Sequence, residues 1–212
     1  MSGKVITVIA DLVASRSARK RRQLQETLNA VLRETSAANR RAILSPYTLT
    51  LGDEFQAVYK LADGLFQDLL RIAIAISPNN LRYSLAVGTL TTKINRQQAI
   101  GMDGPAFHAA REGMNKLKQS SRLFLLSGEI GPSPNLLNSA LAVLSHSMSG
   151  WRKNRFLILL GLLEGKSRQE IAGEVGISLP AFHKNLQAGA LPEIVTFLRE
   201  IEAILNSQLS AR

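Results

Sequence analysis

The sequence predicts an α+β chain: a sandwich of helices on a mixed β-sheet, followed by a small all-α domain. Three observations predict it. The patterning over the first part of the chain runs strand, helix, hairpin, helix, strand, helix, strand. Residues 128–134 are then rich in Gly, Pro and Ser, as at a domain boundary. Beyond them the apolar spacing is helical only. The expected division is a sheet domain at 1–130 and a helical domain at 131–212.

The elements follow in order. Lys4-Val-Ile-Thr-Val-Ile-Ala10 is β-branched and apolar almost throughout, as a strand buried on both faces should be. The run ends at Asp11, and an acid at the C-terminal end of a central strand lies in a crevice rather than a core. Residues 18–38 form an amphipathic helix with Leu24, Leu28, Val31 and Leu32 on its inner side. Pro46 closes the loop before a hairpin. Tyr47-Thr-Leu-Thr-Leu51 and Phe55-Gln-Ala-Val-Tyr59 both alternate, and Gly52-Asp53 is the tight turn between them. Residues 63–76 are a second helix, with Leu65, Phe66, Leu69, Leu70 and Ala73 facing inward. Pro78-Asn79-Asn80 is a turn and residues 81–90 a strand. A turn at 101–105 opens a helix to residue 118, with Pro105 suited to its first position. Arg122-Leu-Phe-Leu-Leu126 is the last strand, and residues 135–148 lead into the helical domain.

The hairpin tip carries two adjacent acids, Asp53 and Glu54. Such a tip invites a cation, and a divalent metal bearing nucleotide phosphates would serve. The competing reading is an ordinary Gly-Asp turn with solvated acids. If the first strand pairs beside the hairpin, Asp11 joins the other two. Three converging carboxylates are the minimum for phosphoryl transfer with two Mg2+ or Mn2+ ions.

An Asp closing the first strand and then a Gly-Asp-Glu-Phe hairpin resembles the palm-type domain of class III nucleotidyl cyclases and GGDEF diguanylate cyclases. Leu81-Arg-Tyr-Ser-Leu-Ala-Val-Gly88 resembles the strand after the GGDEF hairpin. Asp103, Ala106-Phe107, Ala109-Ala110-Arg111, Gly113 and Asn115 resemble its late helix. The turn here has one glycine where diguanylate cyclases have two, and Arg111 stands where a Lys is usual. The chain is also similar, over nearly its whole length, to the SatD family of bacterial proteins. The shared features are Asp11, Ser15 and Arg16, the Thr-Leu-Gly-Asp-Glu-Phe-Gln hairpin, and the run from Gly101 to Glu112 with its Asp-Gly-Pro. The family also has a C-terminal helix-turn-helix. These resemblances imply a ferredoxin-like, palm-type sandwich. They imply metal-binding or catalytic roles for Asp11, Asp53 and Glu54. Ser15, Arg16, Gly52, Asp103, Arg111 and Lys116 become the candidate phosphate- and nucleotide-binding residues.

Residues 167–188 have helix-turn-helix spacing. Ser167 with Glu170 is a capping box, Ala172 is small where two helices cross, Gly176 permits a left-handed turn, and Ser178 can cap the second helix. That second helix would enter the major groove. Ser178, Ala181, His183, Lys184, Asn185 and Gln187 are the candidate DNA contacts. A trihelical module that binds no DNA, or binds protein, has the same spacing. Residues 192–205 form a last amphipathic helix, which either covers this module or pairs with a second subunit to make a homodimer.

Composition bounds the function. The net charge of +10 favours polyanionic partners. Residues 1–150 carry 18 Lys+Arg against 10 Asp+Glu, and residues 151–212 carry 8 against 6, so the excess lies outside the helix-turn-helix. The densest cluster is Arg16, Arg19, Lys20, Arg21 and Arg22, read as a phosphate rim at Arg16 and otherwise as a solvated helix start. There is no cysteine, which excludes disulfides and thiolate metal sites. No apolar run is long enough to cross a bilayer, and no secretory pattern opens the chain. A cytoplasmic protein without a membrane partner is expected. Three functions remain. One is a DNA-binding regulator with a metal- and nucleotide-binding sensor domain. Another is a nucleotidyl cyclase or nucleotidyltransferase acting on a nucleoside triphosphate. The last is a structural or interaction protein with both sites degenerate.

Overall fold

The structure is a computed structural model, which describes residues 3–13, 18–50 and 52–210. Five strands form one sheet in the order β2–β3–β1–β4–β5: β1 (Val5–Val13), β2 (Ile43–Leu49), β3 (Glu54–Tyr59), β4 (Asn80–Gly88) and β5 (Phe124–Gly128). Neighbours are antiparallel except β4 and β5, which run parallel. With α1 (Ala18–Ala38) and α2 (Leu65–Ala75), the first four strands give the βαββαβ order of a ferredoxin-like fold. β5 extends the β4 edge.

Side chains alternate across a strand, so the central strand must be apolar on both faces. Ile6, Val8, Ala10 and Leu12 of β1 join the main core with Leu28 and Leu32 of α1 and Leu65 and Leu69 of α2. On the opposite face Ile9 packs with Ala86 and with Ala110, Met114 and Leu117 of α3 (Pro105–Lys118). Gly113 lets α3 come this close, because a Cβ there would run into Ser84 Oγ of β4.

Several boundaries differ from expectation. β1 does not stop at Asp11: it pairs with β3 as far as Asp11 and with β4 as far as Val13. β2 begins at Ile43, and Pro46 lies inside it rather than before it. β2 is an edge strand, and its pairing is irregular between Ser45 and Thr48, which is where a residue without an N–H is tolerated. β5 starts at Phe124, two residues after the expected start at Arg122.

The rest of the chain is helical: α4 (Pro134–Ser149), α5 (Lys153–Leu163), α6 (Arg168–Val175), α7 (Leu179–Gly189) and α8 (Leu191–Ser210). α4 packs on β5 and α5 on α2. Leu191, Val195, Leu198, Ile201 and Leu205 of α8 belong to the same apolar cluster as the sheet. The apolar stripe of α8 is therefore core cover. α8 also finishes α2, whose N-cap is Gly64 with no side-chain cap of its own. Phe66 N–H donates to Glu202 Oε1 at 3.0 Å, and Ala62 N–H donates to Asn206 Oδ1 at 2.7 Å.

A buried polar network ties the layers. Tyr59 O–H donates to Asp68 Oδ2 at 2.8 Å, and Tyr59 and Tyr47 hydroxyls lie 2.8 Å apart. Asn39 Nδ2 also donates to Asp68 Oδ2 at 2.7 Å, and Arg71 bridges Asp68 to Glu164 at the end of α5. Burial outweighs these donors and raises the Asp68 carboxyl to about 6. Burial likewise raises Glu202 to about 7.

A carboxyl raised in the folded state binds its proton more tightly there than in the unfolded chain. Its stabilisation is full below the unfolded value and is lost as pH rises through the folded one. Stability is thus expected to fall between pH 5 and pH 8, by on the order of 4 kcal/mol from these two groups. Glu202→Gln should flatten the Glu202 share of that slope in denaturant titrations at pH 5, 6.5 and 8. An unchanged slope would mean that Glu202 is not held protonated.

Candidate functional site

Asp11, Glu54 and Arg82 form one row across three strands. Asp11 of β1 is opposite Glu54 of β3 on one side and Arg82 of β4 on the other. Directly opposed residues share a face, and Asp11 shares that of Ile9, two residues earlier. This is the face that α3 covers. α3 contributes Arg111 and Lys118, seven residues apart and so on one side of the helix.

The five side chains meet. Arg111 donates to both Glu54 carboxylate oxygens at 2.6 Å. Lys118 Nζ lies 3.4 Å from Asp11 Oδ1 and 3.9 Å from Glu54 Oε2. Arg82 lies 3.7 Å from Asp11 Oδ2. The carboxylates are sheltered, with side-chain exposures of 18% for Asp11 and 13% for Glu54, whereas Arg111 and Lys118 remain 47% and 44% exposed. Three cations face two carboxylates, leaving one net positive charge.

Asp53 takes a different direction. Gln25 of α1 approaches its Oδ1 at 3.4 Å, and its carbonyl accepts from Leu12 N–H at 3.3 Å. Adjacent residues at a strand start point to opposite sides, so two neighbouring acids do not automatically share a site. Among the described residues no three His, Cys, Asp or Glu side chains are grouped to hold a metal ion. Mg2+ and Mn2+ need free carboxylate oxygens. Here Arg111 occupies those of Glu54, and Lys118 and Arg82 flank those of Asp11. In this arrangement the acids do not fit a metal; the surplus cation fits an anion.

The remaining candidates from the first part of the chain separate. Gly52 occupies the left-handed position of the hairpin turn, with φ +72°. Asp103 pairs with His108 at 2.8 Å and accepts from Gly104 N–H at the start of α3. Lys116 pairs with Glu112 at 2.6 Å on the exposed side of α3. Five residues separate it from Arg111, which places it about 140° around the helix. Ser15 and Arg16 lie outside the described residues. Arg82 and Lys118 are the residues that sequence reasoning missed. The signal for Lys118 was its seven-residue spacing from Arg111.

A second candidate surface lies on α6 and α7. Ser167 Oγ accepts from Glu170 N–H while Glu170 Oε2 accepts from Ser167 N–H, a complete capping box. Gly176, at φ +71°, ends α6, and Ser178 Oγ caps α7 by accepting from Ala181 N–H. Phe182 is fully buried, with Ile171 and Ala172. α5 approaches α6 closely at Gly161, where a Cβ would strike the Ile171 side chain. His183, Lys184 and Gln187 are exposed; Ala181 and Asn185 are half-buried, and the Asn185 amide donates to Ala181 O at 2.9 Å.

A family model described as the SatD family matches residues 5–205. The chain belongs to the SatD family. Among solved structures, a bacterial light-regulated adenylyl cyclase is similar to this SatD-family chain with a TM-score of 0.45 and 15% identity, covering 59% of this chain and 43% of that one. The chain thus spans less than half the length of that cyclase. A guanylate cyclase domain from Catenaria anguillulae, in complex with GTP, is similar at a TM-score of 0.39 and 20% identity, over 54% of this chain and 73% of that one. A regulator of polyketide synthase expression from Bifidobacterium adolescentis is similar at 0.29 and 15%, over 96% and 86%. No curated protein matches. No described helix is long and apolar enough to cross a membrane.

The geometry of this SatD-family site makes a discriminating expectation. Inorganic triphosphate titrated by calorimetry should bind about tenfold more weakly to Arg111→Ala or Lys118→Ala than to wild type, the equivalent of about 1.4 kcal/mol. Lys116→Ala should bind as wild type does. Equal loss in all three variants would point to general surface charge instead.

Proposed function

We propose that the protein is a DNA-binding regulator whose sheet domain binds the phosphates of a nucleotide. The observation that carries this reading is α7. It is capped at its start, anchored by Phe182, and turns His183, Lys184 and Gln187 to solvent. Read as a helix-turn-helix, α6 crosses the DNA backbone and α7 enters the major groove. Lys184 then pairs with guanine or phosphate and Gln187 with adenine. Asn185, tied to its own helix, contributes less than its sequence position implies, and Ser178 serves as a cap that would sit near phosphate. A single α7 reads few base pairs, so specificity needs two copies on a two-fold site. The stripe of α8 is already buried, and a homodimer would use another surface.

Selection from random duplex DNA tests this reading. Wild type should enrich a two-fold sequence. Lys184→Ala with Gln187→Ala should lose the preference, whereas Arg40→Ala with Arg41→Ala, two exposed basic residues just past α1, should weaken all sequences alike. No enrichment, with a monomer by light scattering, would count against DNA binding and leave the interaction-protein reading.

A second reading is a nucleotidyl cyclase or nucleotidyltransferase. The observation that favours it is the meeting of Asp11 and Glu54 with Arg82, Arg111 and Lys118 at one end of the sheet. The cations would bind triphosphate oxygens, and that binding would release the two carboxylates for other work. The four common nucleoside triphosphates, incubated with Mg2+ or Mn2+ and resolved by chromatography, test it. Turnover that disappears in Asp11→Ala and Glu54→Ala is expected under this reading; absence of any product would sink it.

A further inference from the structure

A cavity of about 390 Å³ opens where the sheet meets the helical segment. Its walls are Leu69 and Ala73 of α2, Tyr83 of β4, Phe124 of β5, and Trp151 and Phe156 at the start of α5. It lies on the face of the sheet opposite the Asp11–Glu54 cluster and is independent of it. Its size falls within the range of small-molecule sites, which are mainly apolar with a few placed polar groups.

The wall and the mouth differ in chemistry. Tyr83 and Phe124 stack at 5.6 Å, and their rings are nearly parallel, at 13°. Trp151 meets Phe156 edge-on at 5.3 Å, and the Arg155 guanidinium stands 5.6 Å from the Trp151 ring centre. The Tyr83 hydroxyl is spent on Leu69 O, so the buried wall offers little hydrogen bonding. At the mouth are Arg152 and Lys153, with Ser77, Asn80 and Ser149, all exposed. Neither cation makes an ion pair with a described carboxylate, and no Asp or Glu lines the cavity. This contrasts with Arg71, Arg82 and Arg111, which all face acids. α5 begins at this mouth with no side-chain cap, and its N-terminus adds positive potential.

We propose that this cavity binds an apolar-bodied monoanion, of the class of a medium-chain fatty acid or an aryl carboxylate. The aromatic and aliphatic wall takes the body, and Arg152 and Lys153 hold the acid group at the rim. An apolar neutral molecule would leave the unpaired cations unused, and a multiply charged one would have to desolvate charge against the aromatic wall. The occupant touches α2, the sheet and α5 together. α5 in turn carries α6 and α7, so the cavity is placed to report a small acid to that helix pair.

Trp151 is the sole tryptophan, so intrinsic fluorescence reads the site directly. The full chain is titrated with decanoate and with its neutral analogue decanamide. Decanoate should shift Trp151 emission saturably with one site, and decanamide should bind about tenfold or more weakly. Arg152→Glu with Lys153→Glu, two exposed positions, should erase that preference while leaving the melting temperature unchanged. Ala73→Phe, which fills the cavity, should remove the response to both ligands. An unsaturable or absent response, or a charge-reversed variant that still prefers the carboxylate, would overturn the proposal. If Ala73→Phe fails to fold, the charge-reversed variant alone decides.

Discussion

The double burial of β1 is the constraint on which the rest of the structure depends. The strand is paired on both edges and covered on both faces, so Ile6, Val8, Ile9 and Ala10 are fully inaccessible. Such a strand cannot slip by one residue, because every side chain would change faces and Asp11 would be driven into the main core. Register is therefore fixed at the same time as burial. It is the register that sets Asp11 between Glu54 and Arg82. The site inherits its precision from packing that has nothing to do with its chemistry.

α3 completes the site by a similar economy. Its approach to the sheet is set by small residues: Gly113 over Ser84, and Gly88 against Ala106, where a Cβ would lie only 3.0 Å from the backbone. Met114 and Leu117 fill the remaining space above Ile9. Once α3 is seated, Arg111 and Lys118 have no choice but to project over the two carboxylates. Cations with half-exposed heads above sheltered acids make a surface that can exchange its internal partners for an external anion. The desolvation cost of the acids is already met by the existing pairs, and the rims remain wet.

The helical segment is bound to the sheet region by more than proximity. Glu202 and Asn206 of α8 supply the caps that the Gly64 start of α2 lacks, and Arg71 links Asp68 to Glu164 on α5. A shared apolar cluster runs beneath them. α2 thus packs on α5, and α5 on α6 at the Gly161–Ile171 contact. The cavity lies beside α2.

Much of this was legible along the chain. The element order, the buried first strand, the Gly52 turn, both serine caps and the left-handed Gly176 all follow from local patterning, because they depend on residues a few positions apart. Asp11 and Glu54 were visible as acids near predicted strand ends, and Arg111 was visible only through the resemblance, as a phosphate-binding candidate. Tertiary structure alone decided the partners. Whether Asp53 joins Glu54 depends on which face each residue of the hairpin takes. Whether Lys116 or Lys118 reaches the acids depends on the angle at which α3 is seated. Arg82 entered the site only because β4 pairs with β1 in the register that sets it opposite Asp11. The double meaning of the α8 stripe was settled in the same way. An amphipathic pattern states that a face must be buried, and only the fold states against what.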